Sequence, residues 1–399
     1  MKKVLILSSR IPYPLIGGDR IRIYNYGKIL KQRYQVDLAY INDYGTQHYK
    51  INLYEAFDNL IEFNFPSKLL VLNSIPALFT RKPVQVLGNY FSKIQRWLNE
   101  HLQKYDYLIC SHIRMAEYIA RLPQGIAPKT FKILEYHDAI SLNYEQARFM
   151  ASGFWKYWYY LEYPRVKGYE SDVLDYFDVG FVCSPLDRQY ILENRQRTGK
   201  PFKGLFLMPM AVDAGILRIA SPVKEENWIV FLGKMDYYPN ELAVEYFVRE
   251  IFPGLLARDR TVKFYIIGAN PTNRVKRLTN IPNVIVTGYV ADPFDYVRRA
   301  KVFVSPQLIG AGMQTKVINA MALGKPVVGT TKALGAIEGE NGVHFLVADD
   351  RQTFINALDL LLNSTQFRQA VGQRARELVE RLYTWDRVGE RLLEVFEKC

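Results

Sequence analysis

From end to end the chain alternates short, near-continuous apolar runs with longer amphipathic stretches. A strand that is apolar along its whole length buries both faces, and intervening helices are what can cover them. The pattern therefore calls for parallel sheets wrapped on both sides, an α/β fold of doubly wound, Rossmann-like type. In the first half the strand candidates are KVLILSS (3–9), QVDLAYI (35–41), IEFNF (61–65), YDYLICSH (105–112), FKILEYHD (131–138) and VGFVCSP (179–185), with helical patterns at 19–33, 86–104 and 114–121. The second half repeats the theme with NWIVFLGKM (227–235), TVKFYIIGA (261–269), NVIVTGYV (283–290), KVFVSPQ (301–307), KPVVGTT (325–331) and VHFLVAD (343–349), and helices near 240–258, 293–300, 313–324 and 351–362.

A length of 399 residues suits two such domains. The expected boundaries are 1–210 and 211–380, with 381–399 as a last helix, and the stretch from 212 to Asn227 is the linker candidate. A composition of 49% hydrophobic and 23% charged residues excludes disordered, fibrous and disulfide-scaffold classes. Three distant cysteines, Cys110, Cys183 and Cys399, argue for reduced thiols and a cytoplasmic location. The N-terminal VLIL is too short for a secretory h-region and reads as a buried strand. No run approaches the roughly 18 apolar residues of a membrane span, so a soluble or at most peripheral protein is expected. The net charge is +12, and residues 1–200 carry 27 Lys and Arg against 19 Asp and Glu. That basic half suits an anionic partner: a phosphorylated substrate or an anionic membrane surface at the inner face. Nucleic acid is disfavoured, because the basic residues form no runs and the aromatics do not alternate with them.

In open parallel sheets ligands bind beyond the carboxyl ends of the strands, and two such halves are expected to face each other across a cleft. Gly17 and Gly18 follow the first strand and open a helix, where backbone amides could approach an anion; a plain tight turn is the alternative. Glu135, His137 and Asp138 end another strand, either as site residues or as a helix cap at Asp138 beside a structural histidine. Gly233 and Lys234 sit at a strand end, either in the cleft or as a solvated turn. The most informative loop is IGAGMQTKVINAMALG (309–324): Gly310 and Gly312 precede a helix starting with Gln314, Thr315 and Lys316, with Asn319 on the next turn. Free amides, a helix dipole and a lysine converge there as a diphosphate would require. His48, His101, His112, His137 and His344 form no metal-ligand spacing, and no metal or other cofactor is expected. Asp349-Asp350 reads as a helix cap. The aromatic stretch GFWKYWYYLEYPRVKGYE (153–170) has three readings: membrane interface through Trp155, Lys156, Trp158 and Tyr159, a cleft-lining helix, or core packing.

With these residues in view the chain resembles a nucleotide-sugar glycosyltransferase of the GT-B fold, in the retaining group related to family GT4. The resemblance is carried by FLGKMDYYPNELAVEYFVREIFP (231–253), GAGMQTKVINAMALGKPVVGTT (310–331) and VHFLVADD (343–350), with LYTWDRVGERLLEVFEK (382–398) resembling the family's last helix, which packs back on the first domain. It implies a metal-independent transfer from a nucleotide diphosphate sugar to a glycan, lipid-linked or other hydroxyl acceptor. It also implies roles. Gly17 and Gly18 would face donor phosphates, and His137 the transferred sugar. Lys234 and Lys316, with Gly233 beside them, would neutralise the diphosphate. Gly312, Met313, Gln314 and Thr315 would hold sugar and phosphate through backbone amides, and Tyr289 and Val290 would lie near the base. The family's paired glutamates are replaced by Ala311 and Asn319, and Asn319 could still accept from a ribose hydroxyl. That departure, with the charge of +12, keeps open a non-catalytic GT-B scaffold for a membrane or polyanion; a nucleotide-sugar epimerase is the other alternative, and the catalytic carboxylates it would use are not evident in the sequence. Residues contacting the acceptor are not identified, though loops 43–60 and 140–170 are where its specificity is expected.

Overall fold

In the computed structural model, residues 1–399 are described except 16, 43–49, 203, 220–222, 310, 311 and 399, with 67 and 150 described by backbone alone. The chain divides into two compact units, Met1–Pro209 with Gly389–Cys399, and Met210–Val388. The segment expected to link them instead carries a helix at Ala214–Arg218, capped by the Asp213 carboxylate. A bridge from Val212 to Thr384 holds both ends of the second unit together.

The first unit is built on seven parallel strands: β1 (Lys3–Ser8), β2 (Gln35–Asn42), β3 (Asn59–Asn64), β4 (Tyr107–Ser111), β5 (Phe131–His137), β6 (Val179–Val182) and β7 (Leu205–Leu207). Their order is β3-β2-β1-β4-β5-β6-β7. The central strands are buried along nearly their whole length, as their unbroken apolar runs require. On one side Leu5, Leu7, Cys110 and Leu134 pack with Ile94, Leu98 and Met115 of the covering helices. β7 was not separately legible in LFLMPMAV, because only three of those residues join the sheet. The C-terminal segment closes this unit: Tyr107 donates its hydroxyl to the Phe396 carbonyl at 2.9 Å.

The second unit has six parallel strands: β8 (Glu226–Leu232), β9 (Lys263–Ile267), β10 (Val284–Gly288), β11 (Ala300–Ser305), β12 (Val327–Gly329) and β13 (Leu346–Val347), ordered β10-β9-β8-β11-β12-β13. Phe231, Phe247, Phe264 and Phe354 meet in its core. The helix Thr315–Ala322 buries Val317, Ile318, Ala320, Met321 and Ala322, so its small residues do allow close packing. Gly324 after it touches Gly372 so closely that a Cβ on Gly372 would fall 2.1 Å from the Gly324 carbonyl oxygen.

In each sheet the chain reverses its direction of winding once, between β1 and β4 and between β8 and β11. At such a switch point the loops diverge and leave a crevice at the carboxyl edge. Topology therefore selects two places for a ligand, one in each unit.

Candidate functional site

In the second unit the switch point brings together the turn after β8 and the loop after β11. Lys316, in the first turn of helix Thr315–Ala322, sends its ammonium inward. Nζ lies 2.6 Å from the Asn240 amide oxygen and 4.2 Å from the centre of the Phe231 ring. The Gln307 amide, its oxygen turned toward the ammonium at 2.5 Å, donates from its nitrogen to the Pro239 carbonyl at 3.1 Å. Among the described residues no carboxylate pairs with this lysine. Burial in a pocket of neutral dipoles and an aromatic face lowers its pKa from the ordinary 10.5 to about 7. The site is thus short of one negative charge.

Lys234 is placed differently. Its side chain is largely exposed and lies 3.2 Å from Asp236, so it carries its own counter-ion. The two lysines of the expected basic pair are joined through Asn240, which donates from Nδ2 to the Lys234 carbonyl at 3.0 Å and accepts from Lys316. Gly233 is what lets Asn240 approach, since a Cβ there would sit 2.7 Å from Nδ2. The sequence shows Asn240 only as a helix-start residue, and Gln307 and Phe231 only as strand-end and strand residues; none announces a contact with Lys316. Asn240→Ala is expected to weaken binding of a phosphate-bearing anion at this helix start by about 10–100-fold, the worth of one hydrogen bond to a charged group, with Gly233→Ala producing the same direction of change in calorimetry.

The helix that begins at Thr315 has Gln314 at its N-cap and no side-chain cap, and helix Tyr238–Tyr246 after β8 also lacks one. By contrast Thr272, Asp292, Thr330, Asp350 and Ser364 cap the helices that start elsewhere in this unit. Both helix starts at the switch point thus lack a side-chain cap, and at Thr315 the first-turn amides are open to an external anion. Asp350 forms a capping box, as its position suggests. Gly312, Met313, Gln314 and Thr315 form the approach to this helix, with Gly312 at φ 83° and Met313 buried. Asn319 is half-buried on the same helix, whereas Gly310 and Ala311 lie outside the described residues. Tyr289 is 79% exposed and, with Val290, follows the edge strand β10. Gly268 ties that edge inward: its amide donates to the Gly288 carbonyl at 3.3 Å. Any Cβ on Gly268 would fall 1.8 Å from the Gly233 carbonyl oxygen, so a side chain at 268 would push the β8 turn out of place.

In the first unit the carboxyl edge is crowded with cations. Arg22, fully buried, donates to both Glu135 carboxylate oxygens at 3.3 Å, to Tyr26 at 3.1 Å and to the Met208 carbonyl at 2.6 Å. Burial raises the Glu135 pKa against the pull of Arg22. Asp19, despite burial, is kept ionised by Arg10, whose Nε is 2.6 Å away. Gly17 at φ 102° and Gly18 open helix Gly18–Leu30, which has no side-chain cap.

His137 ends β5 with φ 71° and His112 follows β4 with φ 76°, left-handed conformations uncommon for histidine. Their rings are 6.3 Å apart, and both Nδ1 atoms are buried without a hydrogen-bond partner among the described residues. Burial, reinforced by Arg22 for His137 and by Arg114 for His112, pushes both pKa values down, so both rings are neutral. His112 has no signal in the sequence beyond its strand-end position. The alternative of a cap at Asp138 is corrected: helix Ile140–Met150 starts from Ala139 without a side-chain cap, and burial, reinforced by Asp187, raises the Asp138 pKa. His48, Cys399 and loop residues 43–49 lie outside the described residues, while Cys110 and Cys183 are buried free thiols. Among the described residues no group of three or more His, Cys, Asp or Glu could hold a metal ion.

Two Rossmann-like parallel sheets, each with an anion-receptive switch point, define an α/β protein of the GT-B fold. Residues 226–364, all in the second unit, match the family model described as glycosyl transferases group 1, and the chain resembles GT4-like glycosyltransferases. The capsular polysaccharide biosynthesis glycosyltransferase CapM of Staphylococcus aureus is 30% identical over 156 residues, a match spanning 36% of this chain and 40% of that protein. Among solved structures, sucrose-phosphate synthase of Thermosynechococcus elongatus superposes with a TM-score of 0.70 at 14% identity, covering 100% of this chain and 99% of that one. Anabaena HepE, solved in complex with UDP-glucose, superposes at 0.64 with 13% identity and covers 100% of both chains.

Proposed function

We propose that the protein transfers a sugar from a nucleotide diphosphate sugar to a hydroxyl acceptor, with retention and without a metal ion. The observation that carries this reading is Lys316: a buried ammonium with no carboxylate facing it, at an uncapped helix start and a topological switch point. The matched family domain covers the same residues, and a relative in fold was solved with UDP-glucose bound.

In the proposed step the bond between the anomeric carbon and the β-phosphate oxygen breaks, its electron pair leaving with the diphosphate. The acceptor oxygen bonds to the anomeric carbon from the same face, and its proton passes to the departing phosphate oxygen. Lys316, the amides of Gly312 to Thr315 and, at the rim, Lys234 would stabilise the developing charge. Asn319 would accept from a ribose hydroxyl, and Tyr289 and Val290 would flank the base. In the first unit, the Gly17–Gly18 helix start would receive phosphate, and His137 would offer a neutral imidazole to the sugar.

The test is calorimetric titration with UDP, GDP, TDP and ADP, followed by turnover of the matching sugar nucleotides with and without EDTA. Micromolar binding of one nucleotide, and acceptor-dependent release of it with EDTA present, is the expected result. Loss of turnover in EDTA overturns the metal-independent step, and an inverted anomer in the product's proton spectrum overturns retention. The scaffold alternative rests on the charge of +12 and on Ala311 and Asn319 standing where carboxylates are usual; binding of none of the four nucleotides would point to it. Nucleotide release without any acceptor would favour the epimerase.

A further inference from the structure

Two guanidinium groups at the carboxyl edge of the first unit are matched, Arg10 by Asp19 and Arg22 by Glu135. A third, Arg114, is not. It stands in the first turn of helix Ile113–Ala120, just after His112, and that helix has no side-chain cap. Its Nε donates to the neutral Gln85 amide oxygen at 3.0 Å, and among the described residues no carboxylate pairs with it. Asp19, whose charge reaches Arg114, is already held by Arg10. Burial, reinforced by Arg10, pulls the Arg114 pKa below the ordinary guanidinium range, as expected of a cation taken from water without an anion.

The polar atoms around Arg114 are unfinished as well. Nδ1 of His112 and of His137 is buried without a partner among the described residues, and so is the Nε2 donor of Gln85. Gln85 lines a depression of about 210 Å³ together with Asn89, Tyr144 and Trp158. The Tyr144 hydroxyl acts electrostatically on Arg114, so this depression adjoins the guanidinium. Glu162 lines it too, but its carboxylate is taken up by the Val84 amide at 2.8 Å and by Arg165 at 2.9 Å.

The aromatic stretch 153–170 divides at this point. Helix Gly153–Asp172 buries Tyr163, Val166 and Glu170 of its second half, so core packing accounts for that part. Its first half leaves Phe154, Trp155 and Tyr157 exposed, and Trp158 contributes to the wall of the depression. Among the described residues no helix is long and apolar enough to cross a membrane. Aromatic faces beside a planar amide are the mostly apolar, sparsely polar lining of a small-molecule site, and they suit the C–H face and the hydroxyls of a sugar ring. A guanidinium at the edge of that lining, with donors left over around it, suits an oxyanion.

We propose that the first unit seats an acceptor sugar that carries an anionic group, a carboxylate or a phosphate, with the anion on Arg114 and the ring against Gln85, Tyr144 and Trp158. The inference deepens the sugar-transfer reading by giving the acceptor a charge class, and it rests on that reading for calling the ligand an acceptor.

The test is titration of the full chain, without nucleotide, with glucose, glucuronic acid, glucose 6-phosphate and inorganic phosphate, followed by nuclear magnetic resonance. Expected is that one of the two anionic sugars binds at least about tenfold more tightly than glucose, the worth of a hydrogen bond to a charged group, and the tighter of the two names the anion. Arg114→Gln should bring that sugar to the affinity of glucose, and Gln85→Leu should weaken it in the same direction. Arg374→Glu, an exposed charge of the second unit, should leave it unchanged. Equal unfolding midpoints separate lost binding from lost folding, and Gln85→Leu carries the test if Arg114→Gln does not fold. The proposal is overturned if glucose binds as tightly as both anionic sugars, or if the preference survives both variants. It is also overturned if inorganic phosphate binds as tightly as either sugar, which would mean an adventitious ion only. Because no nucleotide is present, failure here leaves nucleotide binding at Lys316 untouched, and failure of nucleotide binding leaves this site as one that holds an anionic sugar without transfer.

Discussion

Lys316→Ala should reduce affinity for the nucleoside diphosphate on the order of 10²–10³-fold, the usual cost of removing one preorganised group from a developing or bound anion. The unfolding midpoint should not fall. A lysine whose pKa is lowered in the folded state is destabilised there as an ammonium, so its removal relieves a cost at neutral pH rather than adding one. Lys316→Arg should not restore binding, because the pocket of Phe231, Asn240 and Gln307 fits a compact ammonium and not a planar fork.

The pH dependence follows with a definite sign. The free site loses its proton as pH rises through about 7, and a bound diphosphate favours the ammonium. Above neutrality, binding should therefore take up a proton, and affinity should fall with rising pH by as much as about tenfold per unit. Calorimetry at pH above 8 in buffers of different ionisation enthalpy would measure that uptake. Lys316→Ala should abolish it, and an uptake that survives in the variant would assign the proton to another group.

Arg22→Met is expected to destabilise the first unit by about 3–5 kcal/mol, the range for stripping one partner from a buried ion pair. It removes the donor to Tyr26, to the Met208 carbonyl and to both oxygens of Glu135, which is then left buried and unpaired. Burial already raises the Glu135 pKa, and losing Arg22 would raise it further. A carboxyl whose folded pKa lies above its unfolded value loses stability as pH rises, so the variant should be less impaired at pH 5 than at pH 8. Adding Glu135→Gln should recover part of the loss and flatten that dependence. Urea midpoints at the two pH values decide the matter: equal destabilisation at both would mean that the missing hydrogen bonds, not the stranded charge, dominate.

Much of the architecture was legible because apolar runs this continuous have only one stable setting, a sheet buried on both faces. The strands that start at Lys3, Gln35, Tyr107 and Phe131 and those of the second half match the expected segments, with only Asn42, Glu226 and Ala300 falling one residue outside. Misreadings came where local signals were short. β7, three residues long, had no strand candidate, Asp138 stands one residue too early to cap its helix, and a π-turn at Phe247–Ile251 interrupts the helix pattern of 240–258.

The loop around Lys316 was visible for a chemical reason: glycines, a helix start and a lysine coincide within seven residues. Asn240 and Gln307 were not, because an amide side chain acquires a role only from what it touches, and their contacts with Lys316 span 76 and 9 positions of chain. Arg22 was equally silent, as its partner Glu135 is 113 residues away. Residue order thus determined the two parallel sheets, the positions of the strand-end loops and the cationic balance of the chain, since these follow from hydrophobic periodicity and composition. Only tertiary structure decided which lysine is left without a counter-ion, which histidines are held neutral and which aromatics stay at the surface. Those properties depend on burial and on neighbours in space, and neither is encoded at any single position.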